Sequence, residues 1–200
     1  MPSLAARSFN TAIERGQVLR SLATSHRLQP ISTRDAQACL HAALASHVAA
    51  WEGYCEAVVR EFFGAVSDPS RADFAGLHQI AEGFSSGQTD RFNTPTFENS
   101  RNLILSCTGY DPISAWTWQA RGRPVTWVQE RLNQVLKARH SFAHGAPVPS
   151  YLWTQGPAGR VRLTTAAIDD IAALLRNLVR QTDRGLSHHI NLVYAQKVRW

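Results

Sequence analysis

Residues 32–66 read STRDAQACLHAALASHVAAWEGYCEAVVREFFGAV, and this stretch has the clearest apolar pattern in the chain. Large apolar side chains recur every three or four positions, which is the period of one face of an α-helix. Ser32 can cap the first turn, with Asp35 three positions later. The pattern therefore predicts a long amphipathic helix that ends at Asp68-Pro69. Its apolar positions are Leu40, Leu44, Val48, Trp51, Cys55, Val58, Phe62 and Val66.

Helical patterns flank this stretch on both sides. Before it, residues 3–25 predict a helix, and Pro30 prevents its extension. After it, segments with the same apolar spacing alternate with turn formers such as Gly, Pro and Asp, which predicts several further helices. These helices are expected at residues 71–84, 95–107, 126–144 and from 164 or 165 to about 183.

The connections between these helices are short. Residues 85–88 and 109–124 are rich in turn formers, so we expect them to be non-helical. Residues 151–163 fit one small β-hairpin. The helix after the second connection should start with a capping box formed by Thr126 and Gln129. The chain is thus predicted to be an all-α helical bundle with at most one small β-hairpin.

The composition is consistent with one domain spanning residues 1–200, because 44% of the residues are hydrophobic and can build a core. Cys39, Cys55 and Cys107 form no C-x-x-C pair, so we expect reduced thiols and neither disulfides nor a metal site. No apolar run approaches bilayer length, and the first residues lack the apolar stretch of a signal peptide. We therefore expect a cytoplasmic protein without a membrane partner.

The charge balance is basic, with 21 Lys and Arg residues against 15 Asp and Glu residues and a formal net charge of +6. Such a surface attracts polyanions. Nearly all of the basic residues are Arg, whose guanidinium group makes bidentate contacts with phosphate. Both a nucleic-acid-binding surface and a merely basic surface agree with this balance.

The segment Arg139-His140-Ser141-Phe142-Ala143-His144 concludes the helix expected at residues 126–144, just before Gly145. The spacing Arg-x-x-x-x-His also occurs at Arg184-Gly185-Leu186-Ser187-His188-His189, so spacing alone does not single out a site. The contexts of the two segments differ, because the last helix is expected to end near Gly185. Only the first segment is expected to be held by a well-patterned helix.

Side chains of the first segment can converge on a phosphate. At about 100° per residue, His140 and His144 share one helix face and Arg139 lies beside it. Phe142 and Ala143 should point toward the core. Imidazole exchanges protons near neutral pH and guanidinium holds phosphate oxygens, which favours phosphodiester transfer without a metal ion. The alternatives are basic side chains that merely stabilise a helix C-terminus and a zinc site, for which a third ligand of suitable spacing is lacking.

Trp116, Trp118, Arg121 and Arg123 lie together in the connection expected at residues 109–124. Aromatic and basic side chains of this kind can stack on bases and contact phosphates. Packing of the Trp rings over an edge of the core is the favoured interpretation. The sequence contains no Gly-rich phosphate loop, nucleophile elbow or paired carboxylates, which argues against nucleotide hydrolases, esterases and glycosidases.

The run LKARHSFAHG at residues 136–145 resembles the signature of HEPN domains, in which Arg, a polar residue, three further residues and His end a helix. Two other stretches resemble the RiboL-PSP-HEPN branch of this superfamily. The first is residues 41–63, with its Trp-Glu-x-Tyr pattern, and the second is residues 93–99 followed by 108–111. The ordered combination of the three stretches gives a resemblance over roughly residues 35–180.

The resemblance implies an all-α fold, usually a homodimer that brings two Arg/His motifs together, and RNA cleavage that needs neither a metal nor another cofactor. It implies that Arg139 binds the phosphate, that His144 is the general acid or base, and that His140 assists. Many relatives act in toxin–antitoxin, abortive-infection or antiviral systems, so an antitoxin protein is an expected partner besides RNA. The alternatives are a catalytically inactive module that binds RNA or a protein, and a purely oligomerising domain. Further substrate contacts are expected from Arg121, Arg123, Lys137 and Ser141.

Overall fold

A computed structural model describes residues 1–25, 32–67, 72–156, 159–198 and 200. Within these ranges the chain forms six α-helices and no β-sheet, which confirms the predicted all-α bundle. The helices are α1 (Leu4–Leu22), α2 (Thr33–Val66), α3 (Ala72–Asp90), α4 (Phe97–Thr108), α5 (Val125–Ala143) and α6 (Thr165–Val193).

Helix α2 is the central element, and the other five helices all contact it. Ser32 caps α2 as predicted, because its hydroxyl accepts a hydrogen bond from the Asp35 amide. Every residue of the predicted apolar stripe is buried. Trp51 is fully buried in the middle of the stripe, and its indole N–H donates to the Ser100 hydroxyl on α4. A stripe that is buried from end to end makes α2 the axis of the bundle.

Side-chain caps begin helices α4 and α6, but not α5. Thr96 caps α4, and Thr164 caps α6. The capping box predicted for α5 is wrong, because this helix already begins at Val125 and Thr126 lies inside it. Pro124 precedes the helix with φ −72°, a conformation that leads into a helix without a side-chain cap.

Helices α3 and α6 are longer than predicted. Residues 85–88, predicted to be a turn, lie inside α3, where Ser85 and Thr89 are buried one helical turn apart. In α6, Leu186 and Ile190 continue the buried stripe, so the helix passes through Gly185 and ends at Val193. In both cases the packing of one helix face overrides the local turn preference of Gly and Ser.

The hairpin proposed for residues 151–163 does not form as two strands in the described ranges. Leu152–Thr154 is a short 3-10 turn, and a single isolated bridge pairs Gln155 with Val161. This outcome agrees with a bundle that has at most one small hairpin. The expected hairpin turn at residues 157–158 and the expected helix boundaries at Pro30, Asp68-Pro69 and Arg71 lie outside the described residues.

None of the described helices combines the length and apolar character needed to cross a bilayer. The cysteines are free thiols, as expected from their spacing. Cys55 lies in the buried stripe of α2, and burial raises the pKa of its thiol. This thiol therefore packs as a small apolar group.

Candidate active site

Helix α5 ends at the predicted Arg/His segment, and backbone hydrogen bonds close its last turn. The His144 amide donates to the His140 carbonyl oxygen at 3.2 Å, and the Ala146 amide donates to the Ser141 carbonyl oxygen at 2.8 Å. Gly145 has φ 66°, the left-handed conformation that often follows a helix. The chain therefore leaves the helix directly after His144, which places this side chain at a helix terminus.

The imidazoles of His140 and His144 lie side by side at this end of α5. Their ring centroids are 4.2 Å apart with an interplanar angle of 49°, and both residues are exposed. Arg139 is partly exposed and borders the same cleft, which has a volume of about 800 Å³. The three predicted catalytic side chains thus line one cleft that is open to solvent.

Another part of the cleft wall comes from residues 93–98 at the start of α4. The Glu98 carboxylate accepts hydrogen bonds from the Gln129 and Asn133 side chains. The Asn133 side-chain oxygen in turn accepts from the Phe97 amide at 3.1 Å, so the start of α4 is fastened to α5. Burial alone would raise the pKa of Glu98, but these hydrogen bonds outweigh it and lower that pKa. Glu98 therefore remains a carboxylate that offsets part of the positive charge of the cleft.

Two side chains of α2 lie beside the last turn of α5. The His41 ring stacks on Phe142, with centroids 4.5 Å apart and an interplanar angle of 8°, and burial lowers the pKa of His41. Glu52 is close enough to Arg139 for the guanidinium to lower its pKa, although burial and the neighbouring Glu56 raise that pKa more. Helix α2 therefore contacts the end of α5 through His41, and its Glu52 interacts electrostatically with Arg139.

The orientation predicted for the last turn of α5 is wrong. Phe142 and Ala143 were expected in the core, but both are exposed, Phe142 by 43%. This turn extends past the core, where His41 covers one face of the Phe142 ring. Ser141 is buried instead, and its hydroxyl donates to the Ala138 carbonyl oxygen at 2.9 Å. That hydrogen bond engages the Ser141 hydroxyl within α5.

The expected substrate-binding residues fall into two groups. Lys137 and Ser141 border the cleft, and Lys137 is exposed. Arg121 and Arg123 lie outside the cleft, on the connection before α5. Both residues are exposed, and Arg121 forms an ion pair with Asp170. The structure therefore gathers only the first group around the Arg/His segment.

Trp116 and Trp118 are both buried. The Trp116 indole N–H donates to the Thr182 hydroxyl of α6 at 2.9 Å. The prediction that these two rings pack against the core is confirmed, and neither ring is open for stacking on a base.

Sequence reasoning missed the polar wall of the cleft, formed by Asn93, Thr94, Thr96, Glu98 and Asn133. Local patterns predict a helix at residues 95–107, but they do not show that its start will meet the end of α5. Across the described residues, no group of three or more His, Cys, Asp or Glu side chains is arranged to hold a metal ion. Imidazole side chains can exchange protons near neutral pH, and guanidinium and ammonium groups can donate hydrogen bonds to an anion.

Comparison with known proteins links the chain to a protein family. The model of the RiboL-PSP-HEPN family matches residues 13–187, a range that begins in α1 and ends in α6. No curated protein and no solved structure matches the chain.

Proposed function

The chain belongs to the RiboL-PSP-HEPN family, and from this membership we propose that it is a metal-independent endoribonuclease. HEPN domains are generally ribonucleases or RNA-binding modules. The observation that carries the proposal is the joint exposure of Arg139, His140 and His144 in one cleft. A fully buried His144 would be incompatible with catalysis on RNA.

In the proposed reaction, the neutral imidazole of His144 takes the proton from a ribose 2′-OH. The 2′ oxygen then attacks the adjacent phosphorus, and the bond from phosphorus to the 5′ oxygen breaks. The leaving 5′ oxygen takes a proton from an imidazolium, for which His140 is the nearest candidate in one chain. The Arg139 guanidinium stabilises the negative charge that builds up on the phosphate oxygens. The products are a 2′,3′-cyclic phosphate and a 5′-hydroxyl end.

We propose that the active form is a homodimer. Arg139 and His144 are five positions apart, which is about 140° around a helix, so one motif surrounds a phosphate incompletely. A second copy related by a two-fold axis would bring another Arg139 and His144 to the opposite side of the scissile bond. Lys137 is exposed at the cleft and would bind a neighbouring phosphate.

The biological role that fits such an enzyme is a toxin or an antiviral effector that degrades RNA in the cytoplasm. Family resemblance supports this role, since relatives act in such systems. A neutralising antitoxin protein would have to cover the cleft that contains His140 and His144, or prevent the second copy from binding.

The test is RNA cleavage by the purified protein, on single-stranded RNA and transfer RNA, in buffer containing EDTA. We expect cleavage, and we expect His144→Ala to slow it by about 10²- to 10⁴-fold, the usual contribution of a general acid or base. His188→Ala is the matched control, because His188 is an exposed histidine of α6 away from the cleft. RNA binding without any cleavage would identify an inactive binding module. Equal cleavage by wild type and His144→Ala would refute the proposed mechanism.

A further inference from the structure

The segment that follows α5 turns back along the helix it has just left. Near the cleft, Ala146 is held by the Ser141 carbonyl oxygen, and Pro149 still borders the cleft. Further on, the Trp153 indole N–H donates to the Gln134 side chain at 2.8 Å, about two turns before Ser141 in α5. Residues 146–153 therefore run antiparallel to α5, away from the Arg/His segment.

This return segment carries aromatic rings away from the cleft. Tyr151 and Trp153 are half-buried and stacked, with centroids 6.0 Å apart and an interplanar angle of 11°. The Arg131 guanidinium carbon lies 5.0 Å from the Trp153 ring and 5.2 Å from the Trp127 ring. The Arg123 guanidinium carbon follows, 5.0 Å from the centre of the same Trp127 ring. The rings and guanidinium groups form one continuous row that begins beside the cleft.

At the end of this row, guanidinium groups outnumber the carboxylates that pair with them. Asp170 pairs with both Arg121 and Arg131. Arg123 is exposed, and no carboxylate in the described ranges lies within ion-pair distance of it. The Nε atom of Arg131 is buried and has no hydrogen-bond partner among the described residues. Two guanidinium groups thus share one carboxylate and the third has none, which leaves an excess of positive charge that an anion would neutralise.

We propose that this row, from Tyr151 through Trp153 and Trp127 to Arg123, is a track that binds the single-stranded RNA flanking the cleavage site. The proposal rests on the proposed function of the cleft. An unpaired base would stack on the exposed part of Tyr151, and Arg123 would contact a backbone phosphate. Duplex RNA is disfavoured, because its bases are already stacked on one another and cannot reach the rings.

The geometry sets a minimum length for the RNA. From His140 back to Trp127 is thirteen positions along α5, or about 20 Å at about 1.5 Å per residue. A very short oligonucleotide that fills the cleft would end before it reaches Arg123. Only a longer strand would contact the cleft and the whole track together.

The experiment measures the affinity of His144→Ala protein for fluorescein-labelled oligouridylates of about 3 and about 12 nucleotides by fluorescence anisotropy in EDTA. His144→Ala is used so that the strand stays intact. Adding Tyr151→Ala should weaken binding of the longer strand by about 5- to 150-fold, the effect of losing one stacked base. Tyr151→Phe keeps the ring and should retain the affinity, which separates stacking from misfolding.

Arg123→Gln should lower the salt dependence of binding, reducing the slope of log K against log salt by about 0.7 for one phosphate on a single strand. Arg15→Gln is the matched control, because Arg15 is an exposed arginine on α1. The track is refuted if Arg15→Gln changes the slope equally, if the short strand loses as much affinity as the long one, or if a duplex binds equally well. If the wild type cleaves no RNA but these length-dependent losses persist, the proposed function fails and the track stands.

Discussion

Two segments of the molecule have the same Arg-x-x-x-x-His spacing and differ in where the helix ends. Arg139 to His144 spans the last turn of α5, and His144 is exposed at the terminus. Arg184 to His189 lies wholly inside α6, and His189 is half-buried. A ring nitrogen of His189 lies 3.2 Å from the Thr108 carbonyl oxygen. The same spacing therefore gives an open pair of imidazoles in one place and a packing contact in the other.

The glycines of the two segments explain the difference. Gly145 follows His144 with φ 66°, and open space surrounds the position of a Cβ atom. Gly185 lies within α6, where a Cβ atom would fall 1.7 Å from the Tyr110 hydroxyl oxygen. One glycine ends a helix, and the other lets a tyrosine approach a helix closely. A glycine in the sequence does not distinguish these two uses.

The largest expected contrast is between the two histidines. His144→Ala should slow RNA cleavage by about 10²- to 10⁴-fold, whereas His189→Ala should leave the rate unchanged. His189→Ala should instead lower the free energy of unfolding by about 1 kcal/mol, through the lost contact with Thr108. Single-turnover cleavage and urea unfolding of both variants check this. A loss of cleavage in folded His189→Ala protein would break the comparison.

The two arginines should differ in a similar way. Arg139→Ala removes the group proposed to hold the phosphate and should reduce cleavage by about 10²- to 10³-fold. Arg184→Ala changes the net charge by the same amount. Because Arg184 borders a groove beside α1 and Trp200, the cleavage rate of this variant should stay near that of the wild type. Measuring both at low and moderate salt removes the effect of net charge. Equal losses would assign the effect to overall charge and not to position.

His47 adds a contrast with the exposed histidines, because its burial makes the free energy of unfolding depend on pH. His47 is fully buried on α2, and its pKa is lowered to about 4, mainly by burial and next by Arg176, with opposing effects from Asp169 and Glu14. The unfolded chain binds this proton more readily, so the stabilising contribution is complete above about pH 6.5 and is lost as pH falls toward 4. We expect the free energy of unfolding to fall by roughly 3 kcal/mol over this window.

Urea unfolding at several pH values measures this dependence, and His47→Leu, which cannot titrate, should flatten it. The variant also separates acid unfolding from the titration of the cleavage reaction. If the loss of cleavage rate at low pH shifts to another pH in His47→Leu protein, that loss is caused by unfolding and not by titration of the reacting groups. If the free energy of unfolding of His47→Leu protein changes with pH as steeply as that of the wild type, the pH dependence belongs to other groups.

The smallest expected effects come from the two glycines. Gly185→Ala places a methyl group against Tyr110 and should lower the free energy of unfolding by about 1–3 kcal/mol, as overpacking usually does. Gly145→Ala has room for the methyl group but forces a left-handed backbone, at a cost of about 1–2 kcal/mol. Gly145→Ala should also displace His144 and slow cleavage, whereas Gly185→Ala should not. Unfolding and cleavage measured on the same samples distinguish the two.

The central helix could be predicted because its signal is local. Ser32, Asp35 and the apolar stripe of α2 lie in one continuous stretch, and burial followed the predicted stripe. The end of α6 could not be predicted in the same way, because Gly185 locally favours a helix end, whereas the continuation depends on the burial of Leu186 and Ile190 against the rest of the bundle. Local propensity therefore gave the wrong helix end, because tertiary packing determines where α6 stops.

Local sequence also predicts one part of the candidate site and not the other. Arg139, His140 and His144 follow from one helix end and one motif, and they do line one cleft. The facing wall near Glu98 and Asn133 depends on how α4 meets α5, which no local pattern encodes. The stripe through Phe142 was misplaced because periodicity gives the direction of a side chain but not whether the core extends that far.

The parallel stack of His41 on Phe142 gives the molecule a built-in spectroscopic probe. A phenyl ring directly facing an imidazole shifts the imidazole proton resonances through its ring current, and Phe142 is one residue from Ser141 and two from His144. The nuclear magnetic resonance signal of His41 would therefore report whether the terminal turn of α5 is seated against α2. Because the His41 imidazole is not one of the proposed reacting groups, titrating in oligonucleotide would follow this seating without perturbing the chemistry.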